Sequence, residues 1–169
     1  FRAMPSLQTY EHSHTNPLDR VERVAEAQHW TFDRTTQTEV TMLLEGSWSD
    51  LHVAMNWRED METLHVACTF DAKVPAIRRD ETARLVAQIN EQLVHGHFDL
   101  WQGDGSLVHR NSLLLTGGAE ANDAQCEALI RLAVETCQRY FPAVQFVVWA
   151  GRSAEEALES SLFETVGEA

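Results

Sequence analysis

The sequence predicts an α+β protein in which an antiparallel sheet packs against helices. Two observations carry this. Between residues 40 and 70, apolar residues recur at every second position in three runs joined by short polar turns. That is the pattern of a meander with one face on a core. Before and after these runs, apolar residues recur at i, i+3, i+4 and i+7, as on amphipathic helices.

Asn16-Pro17 reads as an N-cap followed by proline at the first helical position. Leu18, Val21, Val24, Ala25 and Gln28 then carry a helical stripe over about residues 17–28. Trp30, Phe32 and Arg34 alternate with polar neighbours, and Val40, Met42 and Leu44 do so up to the turn residue Gly46. Leu51, Val53, Met55 and Trp57 form the cleanest period-2 face, opposed by Asp50, His52, Ala54 and Asn56. After the polar turn Arg58-Glu59-Asp60, the alternation repeats in Leu64, Val66, Cys68 and Phe70.

Pro75 opens a second helix whose face would carry Ile77, Leu85, Val86, Ile89 and Leu93, with Gly96 as its C-terminal stop. Phe98 and Leu100 form a short strand. Gly103-Asp104-Gly105 is a hairpin turn, and Leu107–Leu115 is the returning strand. Asn122 can cap a long helix, whose stripe is Cys126, Leu129, Ile130, Ala133, Val134, Cys137, Tyr140 and Phe141. Pro142 should kink it or start a new turn. Val144–Trp149 stays apolar, and Ser153 with Glu156 makes a capping box for a last short helix. The expected order is α-β-β-β-β-α-β-β-α-α, a meander plus a hairpin. Residues 16–169 form one domain behind a flexible N-terminal arm, 1–15, in which Phe1-Arg2-Ala3 ahead of Met4 reads as a vector-derived remnant.

Thirteen basic residues stand against twenty-six acidic ones, a formal charge of −13. Lys73 is the single lysine, and the arginines are scattered rather than striped. The mean field repels nucleic acid and anionic membranes alike, so neither is an expected partner. No apolar run approaches the ~20 residues of a membrane span, and no signal-peptide pattern opens the chain. Cys68, Cys126 and Cys137 show no close pairing; Cys126 and Cys137 on one helix would stand ~16 Å apart. They read as buried thiols in a reducing compartment, the cytoplasm.

Catalytic motifs are absent. No GxSxG occurs, and Gly117-Gly118 lacks the company of a phosphate loop. Asp50, Asp71, Asp99 and Asp104 sit beside turns or on polar strand faces, where solvated carboxylates belong. His95-Gly96-His97 is the nearest approach to a metal motif, with His109 or His65 as a distant third ligand, against the three or four that zinc takes from a protein. His12 and His14 repeat the spacing within the arm. The expectation is no cofactor and no metal, with a metal-dependent binder or enzyme built on His95, His97 and His109 as the alternative. Aromatic residues are the surplus: Trp48, Trp57, Trp101, Phe146 and Trp149 lie near element ends or on segments apolar on several sides. Trp57, Trp101, Phe146 and Trp149 are therefore the expected contacts of a protein interface.

Asn16-Pro17-Leu18 through Gly46, Trp57-Arg58, and Ile89-Asn90 with Gly96-His97-Phe98-Asp99-Leu100-Trp101 together form a recognisable series. Val108-His109-Arg110, Leu113-Leu114-Leu115 and Phe146-Val147-Val148-Trp149-Ala150-Gly151 complete it. In this order the chain resembles the YbjN-domain family over about residues 16–167, the most specific features being N-x5-G-x-F-D, the aromatic after it and the hairpin arginine. The resemblance implies a fold similar to type III secretion chaperones, which are small, acidic, usually dimeric proteins that hold a partner segment. It also implies a regulator of sensory transduction without established catalytic residues. Four strands between the first two helices and an extra C-terminal helix depart from the simplest chaperone pattern. The expected function is a non-enzymatic, homodimeric protein-binding module with a protein partner of unknown identity.

Overall fold

The computed structural model describes residues 15–167. The expected arm, with His12 and His14, therefore lies outside the described residues up to position 14. The order is α1 (Leu18–Ala27), β1 (Phe32–Thr36), β2 (Glu39–Glu45), β3 (Asp50–Arg58), β4 (Thr63–Lys73), α2 (Arg79–Asn90), β5 (His97–Leu100), β6 (Ser106–Leu114), α3 (Asp123–Val148) and α4 (Ala154–Gly167). This is the expected α+β order. The strands form one six-stranded antiparallel sheet, β1-β2-β3-β4-β6-β5, with β1 and β5 at its edges.

Alternation decides which face is covered. Leu51, Val53, Met55 and Trp57 on β3, with Leu64, Val66, Cys68 and Phe70 on β4, join the helices in one buried core. Residues of the other parity, among them His52, Asn56 and His65, turn to the opposite face. Edge strand β1 is tied down through Arg34, whose Nη1 donates to Glu22 at 3.0 Å and Asp19 at 3.3 Å on α1. At the start of α1 the Asn16 side chain accepts from the Leu18 N–H at 3.0 Å, as its capping role requires.

Three expectations are corrected. Pro75 leads into a 3-10 turn, Ala76–Arg78, ahead of α2. The tighter winding rotates Ile77 off the apolar stripe, leaving it 88% exposed. The second helix ends at Asn90, well before Gly96, and Leu93 lies beyond it. At that end the Asn90 side chain holds the returning chain: its Oδ1 accepts from the Phe98 N–H at 2.8 Å while its Nδ2 donates to the Phe98 carbonyl at 3.1 Å. One amide thus occupies both backbone groups of a residue on edge strand β5. Finally, α3 continues through Pro142 to Val148, so the apolar 144–149 segment is the end of that helix.

Gly96 is needed where it stands. Its φ is +71°, and a Cβ there would sit 2.4 Å from the Arg110 carbonyl and 2.7 Å from the His109 ring. His109 itself is fully buried, with its ring edge-on to Phe98 at 5.2 Å and neither ring nitrogen hydrogen-bonded among the described residues. Burial lowers its pKa to about 4, the nearby His95 backbone opposing and the His97 charge assisting. All three cysteines are buried and unpaired. Cys137 Sγ lies 3.8 Å from the Cys68 carbonyl, and burial, followed by the neighbouring Cys68 thiol, pushes its pKa well up.

Asn90→Ala should cost about 2 kcal/mol of unfolding free energy, because two backbone groups lose their partner together; urea titration measures it. His109 is neutral in the folded state and protonates near pH 6.5 once unfolded, so the unfolded chain binds more protons between these limits. Stability is therefore full above pH 6.5 and falls as the pH drops towards 4, by on the order of 3 kcal/mol from this residue. His109→Leu should flatten that limb of the stability–pH profile relative to wild type.

Candidate partner-binding cleft

Helix α3 begins with a complete capping box. Asn122 Oδ1 accepts from the Gln125 N–H at 2.8 Å, and Gln125 Oε1 accepts from the Asn122 N–H at 2.9 Å. Its first half buries one stripe, Cys126, Leu129, Ile130, Ala133 and Cys137. Beyond Pro142 the helix is apolar on several sides: Ala143, Val144, Val147 and Val148 are buried, Phe146 is half-buried, and Trp149 remains 60% exposed. Pro142 has no N–H to offer the Gln138 carbonyl.

The end of the helix is held from outside. Arg78, in the 3-10 turn before α2, donates through Nε to the Val147 carbonyl at 2.8 Å and through Nη2 to the Arg152 carbonyl at 3.0 Å. A guanidinium here satisfies a last-turn carbonyl and complements the negative end of the helix dipole. The Arg152 N–H turns back to the Phe146 carbonyl at 3.0 Å across Gly151, whose φ is +65°. The Trp149 ring meets Phe141 edge-on at 6.0 Å.

Opposite stands the β2–β3 turn. Gly46 donates to the Ser49 carbonyl at 3.1 Å and approaches it so closely that a Cβ would lie 2.3 Å from the oxygen. Ser47 Oγ donates to Gln138 Oε1 on α3 at 3.3 Å. This pins the turn to the helix and leaves Trp48 at its tip, 55% exposed. Trp48, Pro142, Gln145, Phe146, Trp149 and Ala150 enclose an open cleft of about 370 Å³. Its lining carries no ionisable side chain, so it offers aromatic and aliphatic surface and little for acid–base chemistry.

The expected interface residues divide. Phe146 and Trp149 meet in this cleft. Trp57 does not reach the surface: it shares the parity of Leu51, Val53 and Met55, and is only 5% exposed. Trp101 is half exposed but stands at the β5–β6 turn, where its N–H donates to the Ser106 carbonyl and its own carbonyl accepts from Gly105, both at 2.8 Å. Trp48 joins the cleft without having been among the expected contacts. Its signal was a tryptophan at the tip of a turn whose other members are glycine and serines.

The histidines do not converge. His97 pairs with Arg110 across β5–β6, and Phe98 with His109, so successive positions put His97 and His109 on opposite faces of the sheet. His95 is exposed in the preceding turn. Among the described residues no three His, Cys, Asp or Glu side chains are grouped to hold a metal ion. On the uncovered face, His97 Nε2 and Asp99 Oδ2 are 3.2 Å apart, Arg110 Nη1 donates to the same oxygen at 3.2 Å, and Arg110 Nε donates to His65 Nε2 at 3.1 Å. Burial, then the Arg110 charge, lowers the His65 pKa. The N-x5-G-x-F-D residues and the hairpin arginine thus serve one structural purpose, the seating of β5: Asn90 holds Phe98, Gly96 admits the β6 backbone, and Asp99 pairs with Arg110.

Comparison with known proteins agrees with this architecture. No curated protein matches the chain. The crystal structure of YbjN, a "putative transcription regulator" from E. coli, superposes with a TM-score of 0.55 at 16% identity, covering 75% of this chain and 90% of that one, and shares the fold. The YbjN family, described as "putative bacterial sensory transduction regulator", matches residues 17–146, from α1 to the Phe146 wall of the cleft. That match spans well over half of the sequence, and the chain belongs to the YbjN family.

Proposed function

We propose that this chain is a non-enzymatic protein-binding module, chaperone-like or regulatory, that acts as a homodimer in the cytoplasm. The observation that carries the proposal is the aromatic cleft: Trp48 and Trp149 keep more than half their surface in solvent. Large rings exposed around a concave apolar surface suit a partner that supplies the missing contact. The family description points to regulation, which likewise works through binding. Further exposed apolar side chains are Ile77 and Val94, each 88% exposed, and Leu114, 70% exposed. No helix of the described residues is long and apolar enough to cross a membrane.

Sedimentation equilibrium at micromolar concentration should give twice the 19.1 kDa chain mass, and a single species at 19.1 kDa would remove the dimer. For the cleft, Phe146→Ser/Trp149→Ser should abolish capture of at least one protein that wild type retains from a lysate of the source cells. Identical captured sets, compared by mass spectrometry, would sink the proposal.

A further inference from the structure

One buried polar group has no part in the cleft. His109, on β6, is fully buried, and neither ring nitrogen is hydrogen-bonded among the described residues. Three elements surround it. Cys68 stands opposite it on β4, Cys137 of α3 lies against the Cys68 carbonyl, and Phe98 of β5 meets the ring edge-on at 5.2 Å. The remaining wall is thin. A Cβ on Gly96 would come within 2.7 Å of the ring Cε1 and 2.9 Å of Nε2, so the chain at Gly96 lies directly over that edge of the imidazole. The next residues outward, His95 and Val94, are exposed. Gly96 and Phe98 belong to one short segment, residues 94–100, whose strand β5 pairs with β6 alone.

We infer that residues 94–100 form a pH-sensitive flap, closed over His109 while its ring is neutral and released from β6 when the ring takes a proton. Lifting this segment alone brings the imidazole to water, whereas moving β4 or α3 would break the core. At neutral pH the flap is held by the Asn90 amide on Phe98 and by Arg110 on Asp99. Charge on the enclosed ring is opposed chiefly by burial; the His95 backbone favours it and the His97 charge opposes it, which together bring the pKa to about 4. Of the other ionisable groups packed here, Cys68 and Cys137 are buried thiols, and Tyr140, beneath the Arg139 guanidinium, is turned to Gln92 at 3.3 Å. On the uncovered face His65 acts in the same direction. Its Nε2 accepts from Arg110 Nε at 3.1 Å and can do so only while unprotonated. A proton there would break that contact and add a charge beside Arg110, Arg58 and His97, loosening the guanidinium that holds Asp99. The closed form keeps the His109 ring neutral down to about pH 4, while the open form protonates near 6.5, so acid favours opening between these limits. At about pH 5 the opening constant is then roughly thirtyfold its value at about pH 7.5.

Hydrogen–deuterium exchange read by mass spectrometry, corrected for the chemical exchange rate at each pH, tests the flap. Between about pH 7.5 and about pH 5, protection of residues 94–101 should fall roughly thirtyfold while that of β3 changes by less than about threefold. In His109→Leu the fall in 94–101 should shrink to about threefold or less. Gly96→Ala carries the test if that variant does not fold. Its Cβ would lie 2.4 Å from the Arg110 carbonyl, so residues 94–101 should already be unprotected at neutral pH while β3 stays protected. An equal loss of protection in β3 on acidification means global unfolding and overturns the flap. So do unchanged protection of 94–101, a fall of wild-type size in His109→Leu, and wild-type protection of 94–101 in Gly96→Ala.

Discussion

The pairing of β4 with β6 is the constraint on which the rest of this molecule depends. It runs from Thr63 opposite Leu114 to Thr69 opposite Val108, and joins two segments separated by α2 and β5. Without it the meander β1–β4 and the β5–β6 hairpin would be two narrow sheets, neither offering a long helix enough apolar surface. With it, α3 lies on a single broad floor, and Cys137 can reach the β4 backbone. Because contacts this distant in sequence carry a loop-closure cost, local devices that hold the intervening chain matter more than their size suggests. Asn90 is such a device. Its amide completes the backbone of Phe98, whose ring packs against Phe70, His109 and Tyr140.

The cleft follows from the same arrangement. A helix anchored by a capping box at one end and by Arg78 at the other cannot slide to hide its apolar C-terminal turns. Its aromatic residues are then divided by geometry: Phe141 faces inward and Trp149 stands beside it at the surface. The rings of Phe146 and Trp149 thus sit at the end of a helix held at both of its ends. That preorganisation lowers the ordering cost of any contact made there.

Much of the fold was legible in the sequence. Strand alternation reports burial directly, and Asn122 announced the start of α3 because capping is a local event. The parts that were not legible depend on distant partners. Nothing near Asn90 tells that its amide will meet Phe98, and a Gly96 that serves the β6 backbone resembles a helix stop. Trp57 is a different case. Its parity with Leu51, Val53 and Met55 places it in the core, although it stands near the end of its strand. Phe146 and Trp149 stand out through the excess hydrophobicity of their segment, whereas Trp48, though one of the surplus aromatics, lies in a turn, where no periodicity marks it as a contact.

The two sheet edges have a consequence of their own. β5 is four residues long and carries His97 and Asp99, while β1 has an irregular register between Arg34 and Thr36 and bears Asp33 and Arg34. Short, kinked, charged margins make poor templates for another strand. Lateral growth of the sheet into fibres is thereby discouraged, even though the uncovered face is wide. Association between molecules is left to side chains, which discriminate among neighbours as an open backbone cannot.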